Sequence, residues 1–132
     1  MKVQLKWWWF ILPAYLTLWS VAFSAWNLLD PNGMMESFGI DTGGASDFIM
    51  LNSAARYVAI SVAMILGIWW FRTYYSILTA LFARLTMDLL DLYAGIQADI
   101  IQDFTGVLQS FLMFLLPNLI TMFLLMKWEK GK

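Results

Sequence analysis

Four apolar stretches dominate the chain, and each is long enough to cross a bilayer. A spanning helix needs about 20 predominantly apolar residues. Trp7 to Leu29, Phe48 to Phe71, Tyr74 to Gly95 and Phe104 to Met126 all reach that length. Only 13% of the residues are charged, against roughly a quarter in a soluble domain. The expected architecture is all-α: residues 1–132 as one four-helix transmembrane domain.

The connections fit that plan. DPNGMMESFGIDTGGASD, between the first two spans, is rich in Gly, Asp and Ser and reads as a loop. Arg72-Thr73 leaves room only for a tight hairpin between the second and third. IQADIIQD, before the fourth, is short and acidic. Lys2 and Lys6 precede the first span, Arg72 lies between the second and third, and Lys127, Lys130 and Lys132 follow the fourth. In a four-span chain these all fall on one side, while Asp30, Glu36, Asp41, Asp47, Asp99 and Asp103 fall on the other. Lysine and arginine collect on the cytoplasmic side, so both termini are expected there. Trp7, Trp8, Trp9, Trp69, Trp70, Tyr74, Tyr75 and Trp128 are expected at the same interface, where amphipathic rings anchor. The first apolar run is longer than the 7–15 residues of a signal-peptide core, which favours a span there.

Composition narrows the chemistry. Cysteine and histidine are absent, so thiolate and imidazole ligands, thiol nucleophiles and Ser-His-Asp triads are excluded. A net charge of −1 offers no basic surface for nucleic acid. Asp41-Thr42-Gly43 matches the aspartic protease motif in a single copy within a Gly-rich loop, which is too little for a catalytic assignment. No metal, cofactor or catalytic residue is expected, and a non-catalytic protein is favoured over an enzyme.

The unusual feature is ARLTMDLLD, charged residues inside the third oily run. An ionised side chain at the bilayer centre costs about 2.5–3.5 kcal/mol on insertion scales. At 1.5 Å per residue, Asp88 lies about 21 Å from Tyr74, and Arg56 about 22 Å from Phe71. A hairpin makes those spans neighbours, so Arg56 is expected to meet Asp88. Asn52 is expected at the level of Asp91. Arg84, Asp88 and Asp91 follow i, i+4, i+7 and share one helical face. The two arginines balance the two aspartates. Gln109 lies level with Asp91, and Asn118 nearly level with Arg84. Thr17, Ser20, Ser24 and Asn27 make a polar stripe on the first span. Pro117 cannot donate to the Met113 carbonyl, so that oxygen is freed and a kink is expected. Ala55, Ala59, Ala63 and Gly67 recur every four residues, a pattern that lets helices approach closely, and close packing within the bundle is expected of them ahead of a homodimer seam.

The candidate binding residues are therefore Arg56, Arg84, Asp88 and Asp91, with Asn52 and Gln109 assisting. The structural candidates are Pro117, Asn118, Ala55, Ala59, Ala63 and Gly67. Charge balance favours a network that sets helix register. Two carboxylates three residues apart favour a site.

The order LLDPNGMMESFGID, then LNSAARYVA, then ARLTMDLLD resembles the small four-helix bacterial membrane proteins of the DoxX-like group and neighbouring families of unknown function. The resemblance implies a four-helix membrane fold in a bacterial inner membrane, in a group that includes subunits of membrane oxidoreductase systems. Two functions are expected in order. The first is an accessory or structural subunit of a larger membrane complex, with the lipid bilayer and other membrane subunits as partners. The second is binding or transport of a small lipophilic molecule such as a quinone, lipid or isoprenoid.

Overall fold

The computed structural model describes residues 1–132 except 38, 40, 42 and 44–46, and describes the backbone alone at 47–50. The described residues are helical with no strand. A 3-10 turn, Trp7–Phe10, leads into α1, Ile11–Leu29. A short helix, α2, covers Pro31–Ser37. Helix α3, Asp47–Met64, widens into a π-helical segment, Ile65–Phe71. Helix α4 is Tyr74–Gln97. The last stretch is α5, Phe104–Ser110, a π segment, Phe111–Leu115, and α6, Leu116–Lys130.

Three of these stretches are long and apolar enough to cross a membrane: Trp7–Leu29, Leu51–Phe71 and Phe104–Lys130. Helix α4 has the length but carries Arg84, Asp88 and Asp91 toward its C-terminal half. The expectation of four spans thus becomes three on composition. Whether α4 can join them depends on where its charges go.

Sequence chemistry accounts for the element ends. Thr73 caps α4, its hydroxyl accepting from the Ser76 amide while the Ser76 hydroxyl accepts from the Thr73 amide. Arg72, just before it, turns the chain in the left-handed region at φ 55°. Asp103 caps α5 by accepting from the Gly106 amide at 2.9 Å. The first loop is more ordered than expected at its start. The Asp30 carboxylate accepts from the Gly33 amide at 3.0 Å and Pro31 opens α2, the asparagine-or-aspartate cap with proline at the first position that favours a helix. Asp41-Thr42-Gly43 lies partly outside the described residues.

Packing follows a ring. Helix α1 lies chiefly against α3 and also meets α6, while α4 meets α3 and α6. That leaves α1 and α4 diagonally opposed. Leu16, Met64, Ile68, Ile77, Leu81 and Leu125 fill the core. The closest approach is at Gly67, where a Cβ would stand 2.6 Å from the Ser76 carbonyl oxygen. The Ser76 hydroxyl instead donates to the Gly67 carbonyl at 2.9 Å. The N-terminal residues close this end. Val3 is buried and its amide donates to the Arg72 carbonyl at 2.8 Å. Trp9 is also buried, so it belongs to the core and not to the interfacial belt expected of it. Trp7, Trp70 and Tyr75 are exposed.

The alanine pattern needs correction. Ala55 and Ala59 are exposed, Ala63 is half-buried and only Gly67 is buried. The inward positions of α3 and its π extension are Ala54, Ser61, Met64 and Ile68. A strict four-residue repeat drifts around a 3.6-residue helix, so the stripe leaves the interface toward the N-terminal end of α3.

The Pro117 expectation has a specific outcome. The chain passes through the π segment Phe111–Leu115 just before Pro117, and the Tyr15 hydroxyl donates to the Met113 carbonyl at 3.0 Å. The oxygen that proline leaves without its helical donor is satisfied from α1, which ties α1 to the π segment before α6.

Candidate functional site: a polar column with two ion pairs

Arg84 stands at the centre of the ring, 1% exposed. It is placed on α4 by the i, i+4 spacing, and its Nε donates to Asp88 Oδ2 at 2.8 Å. Its Nη1 crosses the bundle to α1, donating to the Ser20 hydroxyl and to the Leu16 carbonyl at 3.4 Å. The guanidinium carbon lies 5.7 Å from the centre of the Phe114 ring on the last helical stretch, within cation–π range. One side chain thus touches α1, α4 and the π segment before α6.

Serines extend the column toward α3. The Ser24 hydroxyl donates to the Ser20 carbonyl at 2.7 Å and lies 2.8 Å from the Ser61 hydroxyl. Ser61 in turn donates to the Tyr57 carbonyl at 2.8 Å. Asn27, the next residue of the α1 stripe, is fully buried, and both its amide nitrogen and its oxygen lack a protein partner.

The second ion pair sits one level further along. Arg56 Nη2 lies 2.9 Å from Asp91 Oδ1. The Tyr57 hydroxyl donates to Asp91 Oδ2 at 3.3 Å and accepts from Arg56 Nη2 at 3.3 Å. These side chains are open, at 47% exposed for Arg56 and 30% for Asp91, whereas Arg84 and Asp88 are 2% and 8% exposed.

The expected pairing is therefore corrected: Arg56 meets Asp91, and Asp88 is held by Arg84 on its own helix. Backbone depth alone put Arg56 opposite Asp88, but an arginine stem spans about a helical turn. Asp88 is also already engaged within its helix. Asn52 and Gln109 do not join the cluster. Asn52 is exposed, and Gln109 is exposed with its amide 3.8 Å from the Met113 sulfur. Asn118 is buried and donates to the Leu81 carbonyl at 3.1 Å, bracing α6 against α4. Sequence reasoning missed Tyr57, Ser61 and Tyr15. Ser61 had a visible signal, since it lies one turn from Tyr57 on the face that meets the α1 stripe.

Chemically, each carboxylate already faces an arginine, and among the described residues no three acidic side chains gather as a metal site needs. Two clefts at the surface lie elsewhere. One, of about 360 Å³, is lined by Ala63, Tyr75, Ser76, Thr79, Ala80 and Ala83 between α3 and α4. The other, of about 240 Å³, is lined by Ala14, Thr17, Leu18, Val21 and Trp69 between α1 and the π end of α3. Both are walled almost wholly by apolar atoms. No protein-family model matches the chain, and no curated protein or solved structure is similar to it.

Proposed function

We propose that the protein is an integral membrane protein whose four long helical stretches all cross the bilayer, with both termini cytoplasmic, and that it serves as a non-catalytic accessory subunit of a larger membrane assembly. The observation that carries this reading is the Arg84–Asp88 pair. It is buried, and it is shared with Ser20 and the Leu16 carbonyl. A helix with three ionisable residues can span only if it hides them from lipid, and α4 turns its two innermost ones into the ring. The charge is spent on joining helices. Outside, α1, α3 and α6 present leucine, phenylalanine and tryptophan, suited to acyl chains or to other spans. The lysine and arginine asymmetry supports the cytoplasmic termini, and the ordering of motifs supports membership of the DoxX-like group.

The test is purification of the tagged protein from its own membranes in mild detergent. A stoichiometric partner of a different sequence is the expected result. A species containing this chain alone, at every detergent tried, would contradict the reading.

A second reading, a binder of small lipophilic molecules, is favoured by the openness of Arg56 and Asp91. Native mass spectrometry of wild type against Arg56→Ala separates it from the first. A bound molecule lost in the variant favours the binder, and an identical profile removes it.

A further inference from the structure

The outward face of α3 is an unusual surface for a membrane span. Asn52, Arg56, Ala59 and Ala63 follow 4-3-4 spacing and so lie on one side of the helix. Asn52, Arg56 and Ala59 are exposed and Ala63 is half-buried. The helix thus shows a guanidinium, an amide and two small side chains in the direction where lipid would lie. Arg56 is about 22 Å along the span from Phe71, inside a hydrocarbon layer of about 30 Å. Its counter-ion Asp91 is itself 30% exposed. An ion pair left against acyl chains is costly, and neither of the two clefts described above includes either residue.

The geometry points to a second copy of this chain as the cover, docked along α3 with a two-fold axis near the membrane normal. Charge complementarity argues for that occupant. The exposed patch holds one cation and one anion side by side, so it is complementary to itself, as an isologous interface requires. A two-fold along the normal keeps both copies at equal depth, which lets each Arg56 reach the partner's Asp91 while its own pair persists. Ala59 and Ala63 remove the bulk that would hold the two backbones apart. A single-span partner of unrelated sequence would need its own matching pair of opposite charges at the same depth. The proposal rests on the membrane-spanning reading above.

The chain has no cysteine, so single-cysteine cross-linking in native membranes is clean. Ala59→Cys, treated with a mild oxidant, should yield an adduct of twice the chain mass. Leu18→Cys, on the exposed face of α1, should give at least ten-fold less. Adding Arg56→Ala to Ala59→Cys should reduce the adduct about five-fold or more, and the swap Arg56→Asp with Asp91→Arg should restore it. Absence of the doubled species, or an adduct of another mass, overturns the proposal. A water-soluble maleimide tells the two readings apart. Rapid labelling of Ala59→Cys in sealed membranes would overturn the span itself, whereas a protected cysteine without a doubled species overturns only the second copy.

Discussion

The two ion pairs use the same residue types and lie within two helical turns of each other, yet they are placed in opposite ways. Arg84–Asp88 is an intrahelical pair turned into the ring, with its remaining donor spent on α1. Arg56–Asp91 joins two helices but faces outward, with Tyr57 as its other side-chain partner among the described residues. A buried pair adds little net stability while making loss of one partner expensive. A pair turned outward does not brace the inside of the ring, and it remains available to another molecule. The same chemistry therefore serves as a brace at the centre and as a recognition patch at the rim.

The sharpest break of that comparison is Arg84→Ala. It leaves the Asp88 carboxylate buried without its cation, and it should cost about 3–5 kcal/mol, read from reversible unfolding in mixed micelles. Ser20→Ala comes next. It removes a hydroxyl that accepts from a charged donor, a bond worth about 1.5–3 kcal/mol, and the same unfolding assay should show it. If Ser20→Ala has no effect, the Ser20 hydroxyl is not what holds Arg84 to α1, and only the Leu16 carbonyl contact remains for that role. Arg56→Ala should cost the fold less than Arg84→Ala, because Asp91 is more open than Asp88 and keeps the Tyr57 hydroxyl. A loss as large as that of Arg84→Ala would erase the distinction between the pairs. The smallest effect belongs to Tyr57→Phe. Its hydroxyl contacts are long, and hydrogen bonds between membrane helices average about 0.6 kcal/mol, so the unfolding midpoint should barely move.

Much of the layout was legible because apolar length and helical period are strong signals. The helix limits differ from the apolar runs by only a few residues, and Ser20, Ser24 and Asn27 of the α1 stripe point inward, while Thr17 lines the cleft beside Trp69. The Arg84–Asp88 pair is implicit in i, i+4 spacing. What failed depended on side-chain reach and helix rotation. Arg56 passes over Asp88 to Asp91 because the contest for Asp88 is decided by proximity within α4. Gln109 and Asn52 share the right depth with the cluster, but neither makes a hydrogen bond to it. Ala55 and Ala59 look like a packing seam until the helix period is followed outward. Depth along a span can be counted from sequence, whereas azimuth depends on every neighbouring helix at once. The short α2 was obscured by its glycine-rich surroundings, although Asp30-Pro31 carried the signal.

The most direct measurement of the central claim replaces the buried pair by apolar residues of similar size, Arg84→Met with Asp88→Leu, and determines the native mass of the extracted protein with its bound partners. If the pair is a brace, the variant folds at wild-type stability or better and keeps the same native mass. A well-folded variant that has lost its partners or a bound molecule would contradict the account, because it would show Arg84 and Asp88 to be a site.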